Sequence, residues 1–244
     1  MTVPARFFQH WLTGVAGGTS HAAVCRAAGI KRSTLAQQLV RGRVSLGTIA
    51  AVSRSLDLPV VATLTEFPSF EDLSAGSKPP NLAELLSQVS DSDLLQELLN
   101  RNTAAESLSK PVAVPLSAPH HKSSVRAWLD AVDTGDLRQA VARQAAIAPQ
   151  NLSAQISANR LTAELAIGSA RIAGVGLSNG LVSTGFLSPA EAGWESGSRE
   201  QALRTLPTSA LASLASHRLD YLSRVLRRTE DDKAAVRSVW ENLG

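Results

Sequence analysis

The sequence predicts an all-α protein: two five-helix domains joined by a helical segment and a proline-rich linker, with a C-terminal helix at the end. Three observations carry that expectation. Strand signals are scarce, with no run of alternating β-branched and polar residues bounded by tight-turn dipeptides. Apolar segments of helical period, separated by caps and breakers, follow one another at short intervals. And a stretch near the N-terminus recurs 117 positions further on.

The first helix is read over ARFFQHWLTGVAG, where Phe7, Phe8, Trp11, Leu12 and Val15 keep helical spacing. Thr19 or Ser20 offers an N-cap for a second helix, SHAAVCRAA, which Gly29 ends. A third, near RSTLAQQLV, stops at Gly42. Ser45 caps a fourth, SLGTIAAVSRSLD, and Pro59 sits at the start of a fifth, PVVATLTEF. Beyond Pro68 the composition shifts. Gly76 to Pro80 is a breaker cluster, followed by the acidic, Leu-rich NLAELLSQVSDSDLLQELLNR, in which Ser90 and Asp93 form a capping-box-like start. Ser109 to Ser124 has three prolines and no periodicity, and reads as an extended, semi-flexible linker. At the C-terminus Leu211, Leu214, Leu219, Leu222, Val225 and Leu226 line one long amphipathic helix. That helix packs on the second domain, dimerises or meets a partner; the sequence leaves all three open.

A shift of 117 sets Trp11-Leu12 on Trp128-Leu129. Without a gap, Val15 then meets Val132, Gly18 meets Gly135, Ala23-Val24 meets Ala140-Val141, and Arg26 meets Arg143. Further along, Ala28 meets Ala145, Ile30 Ile147, Leu35 Leu152, Gln38 Gln155, Arg43 Arg160 and Arg54 Arg171. Chance overlap of Ala-rich helices does not preserve two tryptophans and a set of arginines in one register. The expected domains are therefore residues 1–67 and 124–195, with the acidic segment and linker at 68–123 and the helical C-terminal region at 196–244.

Hydrophobic content is 44% and aromatic content 4%, so the cores must rest on Ala, Leu, Val and Ile. Cys25 is the single cysteine, which excludes a disulfide framework and fits a reducing cytoplasm. The chain shows no leader and no run of about 18 apolar residues, so no membrane partner is expected. The net charge of +3 is unevenly spread: residues 1–67 hold seven Lys/Arg against two Asp/Glu, and residues 68–110 hold three against seven. A basic helical unit at the N-terminus points to a polyanion.

Within each copy the segment matching His21 to Leu39 has helix-turn-helix spacing. Cys25 is the small residue where the helices cross, Gly29 the turn residue, Ile30 the apolar residue after it, and Leu35 the inward anchor. In the second copy these are Ala142, Ala146, Ile147 and Leu152, and Ala146 gives up the glycine's conformational ease. With these residues in place the chain resembles the lambda-repressor-like helix-turn-helix regulators. The stretches covered are about 7–67 and 124–193, and LVSTGFLSPAEA resembles the exit of such domains in actinobacterial and actinophage proteins.

The resemblance implies that the second helix of each motif enters the major groove of double-stranded DNA with its N-terminal residues at base edges. In the first copy these are Lys31, Arg32 and Ser33, then Ala36 and Gln37; Arg32 suits guanine and Gln37 adenine. Lys31, Arg41, Arg43 and His21 fall where phosphates pass. The second copy offers Pro149, Gln150, Asn151 and Ser153, with Arg138 and Arg160 as phosphate candidates. The expected activity is that of a transcriptional repressor on operator DNA, most like an actinophage or prophage immunity repressor. One chain is expected to grip an asymmetric site with two unlike motifs, the linker tethering them. The alternative is a DNA-tethered interaction module whose second domain and C-terminal helix dimerise or recruit a partner.

No enzyme, cofactor or small-molecule site is expected. No nucleophile elbow or glycine-rich phosphate loop occurs, His120-His121 lacks a third metal ligand and reads as a solvated pair, and Cys25 reads as a core residue.

Overall fold

The computed structural model of the protein describes residues 2–74, 76, 78–106 and 115–243. It is an all-α structure, with fourteen helices and one two-stranded sheet among the described residues. The first copy of the repeat holds β1 (Thr2–Pro4), α1 (Ala5–Val15), α2 (His21–Ala27), α3 (Arg32–Val40), β2 (Arg43–Ser45), α4 (Leu46–Ser55) and α5 (Val60–Thr65). Then come α6 (Leu82–Ser87) and α7 (Asp91–Glu106). The second copy holds α8 (Ser124–Val132), α9 (Leu137–Gln144), α10 (Pro149–Ser157), α11 (Ala163–Ala173) and α12 (Leu177–Ser183), followed by α13 (Ser198–Thr205) and α14 (Thr208–Leu243). The starts of α3, α4 and α5 recur at those of α10, α11 and α12 at the shift of 117.

The sheet departs from the expectation of no strands. Residues leaving α3 run antiparallel to the N-terminus, pairing Thr2 with Ser45, Val3 with Val44 and Pro4 with Arg43. Three residues are too short to show alternation, yet Val3 and Val44 are both buried in the core.

Local chemistry explains why the helices begin where they do. Ser20 Oγ accepts from the Ala23 N–H, Ser45 Oγ from Thr48, and Thr162 Oγ1 from Leu165, closing α2, α4 and α11. Asn81 and Glu84 form a full capping box at α6, and Ser90 Oγ accepts from the Asp93 N–H while donating to its carboxylate at α7. A side chain repeated in the sequence also acts twice. Gln38 Oε1 accepts from the Ser45 N–H at 3.0 Å, and Gln155 Oε1 accepts from the Thr162 N–H at 3.2 Å. Each glutamine ties the second helix of its motif to the start of the next, which gives a reason for its recurrence.

The chain divides into two units, residues 1–88 with 118–198, and residues 89–117 with 199–244. The first unit contains both copies of the repeat. Its core holds Phe8, Leu35, Ile49 and Leu64 from one copy and Trp128, Leu137, Leu152 and Leu181 from the other, all buried. Burying each such side chain contributes roughly 1.5–3 kcal/mol.

Both copies lie in one unit and meet through Arg54 and Glu191, and the segment that follows the first copy packs on the second, where the sequence predicts a semi-flexible tether. Helix α6 packs on α8, where the buried Glu84 accepts the Trp128 indole N–H at 3.2 Å. Gly76 O accepts from the Leu177 N–H at 3.1 Å, and Lys78 Nζ donates to Gly174 O at 2.8 Å. Part of the expected linker, residues 109–114, lies outside the described residues. Of its histidines His120 is exposed and His121 half-buried, and both have partners the sequence did not suggest: His120 Nδ1 sits 3.1 Å from Ser183 O and 2.9 Å from Ser124 Oγ, and His121 Nε2 sits 2.9 Å from Ser87 O.

In the second unit α7 and α14 pack together, with Leu94 and Leu211 fully buried. Helix α14 is the single long helix expected at the C-terminus, but only its first turns are covered. Leu211 is buried and Leu214 partly so, whereas Leu219, Leu222, Val225 and Leu226 stand exposed. No described helix is long and apolar enough to cross a membrane.

Candidate nucleic-acid interface

Helix α2, the turn at Gly29 and helix α3 are locked by a small set of contacts. The Ile30 N–H donates to Cys25 O at 2.9 Å, and Cys25 and Leu35 are buried beneath the turn. Gly29 stands at φ +65°, a left-handed conformation that costs an L-residue about 1–2 kcal/mol. The second copy makes the same turn without glycine. Ala146 stands at φ +51°, the Ile147 N–H donates to Ala142 O at 3.0 Å, and Ala142 and Leu152 are buried. The turn geometry is thus set by the core around it, and Ala146 carries the strain.

The exit of the third helix repeats the pattern. Gly42 at φ +70° is matched by Asn159 at φ +52°, a residue type that tolerates this region. In the first copy the Gly42 carbonyl accepts from the Ala5 N–H. In the second the Asn159 side chain takes over, accepting from the Val125 N–H at 3.0 Å and donating to His121 O at 2.8 Å.

In the first copy His21, Lys31, Arg32, Ser33, Ala36, Gln37, Arg41 and Arg43 are all exposed. Lys31 is the N-cap of α3 and Arg32 its first residue, so both project from the end of the helix where unpaired N–H groups favour an anion. Arg41 follows the C-terminus of α3 and Arg43 lies in β2. The first acidic residue of the chain is Asp57, so no carboxylate within this copy's first fifty-six residues offsets these cations.

In the second copy Pro149, Gln150, Asn151 and Ser153 are exposed on the first turns of α10, and Arg160 is exposed at its exit. Arg138 stands apart. It is half-buried and its guanidinium is paired with Asp130, which Arg126 also approaches at 3.4 Å. The start of α9 is closed by a carboxylate, Asp133 Oδ1 accepting from the Gly135 and Leu137 N–H groups at 2.8 and 3.1 Å. At the shift of 117 Ser20 and His21 fall on Leu137 and Arg138, so the serine cap of the first copy is replaced by the Asp133 carboxylate from one turn earlier, and the charge of Arg138 is already compensated within the fold.

In the sequence Gln38 and Gln155 stand out only as repeat positions, yet each amide accepts the N–H of the residue that caps the next helix. Among the described residues no group of three or more His, Cys, Asp or Glu side chains is placed to hold a metal ion. Cys25 is buried, as expected of a small core residue.

Comparison of the chain with models of protein families, with curated proteins and with solved structures gave no match.

Proposed function

We propose that the protein is a sequence-specific double-stranded DNA-binding repressor in which α2–α3 and α9–α10 act as two helix-turn-helix motifs of the lambda-repressor-like kind. The observation that carries this reading is the face of α3: exposed Lys31, Arg32, Ser33 and Gln37 at its first turns, with Arg41 and Arg43 at its exit and no acidic residue in the sequence before Asp57. A cationic helix end flanked by base-reading side chains suits a major groove walled by phosphates. Arg32 is placed to read guanine and Gln37 adenine, while His21, Lys31, Arg41 and Arg43 position the backbone. On the second copy Gln150, Asn151 and Ser153 face the bases and Arg160 a phosphate; Arg138 is left out of the contact set. The two faces differ, so the operator is asymmetric in sequence and one chain occupies it. Blocking a promoter by occupancy needs no ligand or cofactor.

The test is binding to duplexes selected from a random library, titrated against salt. Affinity should fall steeply as salt rises, and Lys31→Ala or Arg43→Ala should each lower the slope of log affinity against log salt by about one. Binding that ignores both salt and these substitutions would sink the reading.

A second reading, a DNA-tethered interaction module, is favoured by one observation. Val225, Leu226 and Val236 are exposed on the distal part of α14, where α7 has no residues to match it. Light scattering of the full chain across concentration separates the two readings.

A further inference from the structure

Helices α7 and α14 begin at positions 117 apart, Asp91 and Thr208, so the repeat does not end with the five-helix copies. Two arginines at the same spacing make the same contacts in opposite directions. Arg101 Nη1 donates to Leu206 O at 2.6 Å and lies 3.3 Å from Thr208 Oγ1. Arg218 Nη1 donates to Val89 O at 2.5 Å and lies 3.2 Å from Asp91 Oδ1. Shifting by 117 turns Arg101 into Arg218, Val89 into Leu206 and Asp91 into Thr208. Each arginine thus reaches the carbonyl before the other's helix and the first side chain of that helix. Leu94 and Leu211, equivalent by the same shift, are both fully buried.

The unit that holds the two five-helix copies shows the same reciprocity. Arg54 of α4 donates through Nε to Glu191 Oε1 at 2.6 Å and through Nη2 to Oε2 at 3.0 Å, in the segment after α12. Its equivalent Arg171 of α11 donates to Asp72 Oδ2 at 2.5 Å, in the segment after α5. The fourth helix of each copy grips the exit of the other, the two acids falling two residues out of register. A head-to-tail arrangement pairs a patch with a different patch and gives no return contact. A pair of contacts in which i meets j′ and i′ meets j is the mark of a two-fold axis.

We infer that the chain is a dimer fused into one polypeptide, a 117-residue unit used twice with a pseudo-two-fold relation in each of its units, and that its two α-helical reading faces meet DNA in inverted rather than head-to-tail orientation. This rests on the DNA-binding reading above. Duplex DNA has its own dyads perpendicular to its axis, and a two-fold protein engages both major-groove segments equivalently when its axis lies on such a dyad. The half-sites are then opposed in direction even though Lys31-Arg32-Ser33-Thr34 and Ala148-Pro149-Gln150-Asn151 select different bases. The fused interface also sets the stoichiometry. Helix α14 already packs on α7 of its own chain, and one chain fills one site.

The experiment makes the two reading faces identical in the full chain, by the joint substitutions Ala148→Lys, Pro149→Arg, Gln150→Ser, Asn151→Thr, Ser153→Ala and Ala154→Gln, and selects duplexes from a random library. The expected product is an inverted repeat bound by one chain, preferred at least about tenfold over the same half-sites arranged directly. Selection of a direct repeat overturns the inference and leaves the DNA-binding reading standing. The unsubstituted chain provides the second measurement: hydroxyl-radical protection on its own selected site should be mirrored between strands about one centre. Protections repeated along one strand by translation overturn the two-fold. Failure of the unsubstituted chain to select any duplex overturns the DNA reading and the inference with it.

Discussion

In the first copy the turn between the second and third helices is made by Gly29 at φ +65°, the helix exit by Gly42, and no acidic residue precedes Asp57 in the sequence that carries the exposed cations. In the second copy the same turn is made by Ala146 at φ +51°, the exit by Asn159, and Arg138 is paired with Asp130, with Asp133 closing the neighbouring helix. The cores differ in the other direction. Trp128 donates its buried indole N–H to Glu84, whereas the indole N–H of the buried Trp11 has no partner among the described residues. One backbone, held by equivalent apolar anchors and by Gln38 and Gln155, thus supports a basic face on a plainer core and a neutral face on a core stapled by an extra helix. The lesson is that core positions fixed the backbone twice over, which left the surfaces free to diverge.

The largest effect that would break this contrast is at Glu84. Its carboxylate accepts the Trp128 indole and the Asn81 N–H, so Glu84→Ala removes the capping box and leaves a buried N–H unpaired. We expect a loss of about 3 kcal/mol in chemical denaturation of the full chain, the sum of a cap and an unsatisfied donor. Trp11→Phe in the first copy should show no hydrogen-bond component, only the smaller cost of lost volume, and equal losses at the two sites would erase the distinction.

Next is DNA discrimination. Arg32→Ala should weaken binding to a selected duplex by ~1–3 kcal/mol and relax the preference at one base pair, as measured by competition with single-base variants. Gln150→Ala should do the same at a different base pair. A common position for both effects would mean that the two faces do not read separate half-sites.

The turns give a smaller, opposite-signed pair. Space for a methyl group exists beside Gly29, so Gly29→Ala costs only backbone conformation, about 1–2 kcal/mol, while Ala146→Gly should stabilise by about 1 kcal/mol. Both are read from thermal or chemical melts, and a destabilising Ala146→Gly would show that the second turn is not strained.

The smallest effect is at the docking pair. The Glu191 carboxyl is held below its ordinary range by the hydrogen bond from Arg54 and by those from Ser188, against the opposing effect of burial. A depressed folded value means the contribution is fully present above the ordinary Glu value near 4.3 and is lost as pH falls through the lower folded value. Arg54 is about half exposed, so Glu191→Gln should cost less than about 1 kcal/mol near neutrality, and wild type and variant should converge under acid. A gap that persists below that window would assign the cost to packing instead.

Much of the fold was legible because helix starts are local chemistry. Ser20, Ser45 and Ser90 announce caps within three residues of the N–H groups they accept, and the spacing of Trp11, Leu12 and Val15 needs no partner to be recognised. The repeat was legible as far as Arg54 and Arg171, where identities are dense. Carrying the same shift further sets Leu94 on Leu211 and Arg101 on Arg218, but in Leu-rich sequence two identities do not stand out, and their meaning lies in carbonyls more than a hundred residues away. The candidate interface was legible as exposed residue types on α3 and α10. The compensation of Arg138 was not, since Asp130 sits eight residues earlier across a turn. The hydrogen-bond partners of His120 and His121 were hidden for the same reason, since Ser183 and Ser87 come from distant segments.

The sequence by itself determined the helical class, the helix boundaries, the duplication and the contrast between a basic and an amide-rich face, because each depends on residues within a few positions of one another. Only the tertiary structure decided that the copies are docked and not tethered, and that their contacts run reciprocally. Those facts depend on surfaces brought together from distant parts of the chain: Glu84 finds Trp128 across 44 residues, Arg101 finds Leu206 across 105 and Arg54 finds Glu191 across 137. No local pattern encodes such a meeting: its free energy comes from groups that become neighbours only once both copies have folded.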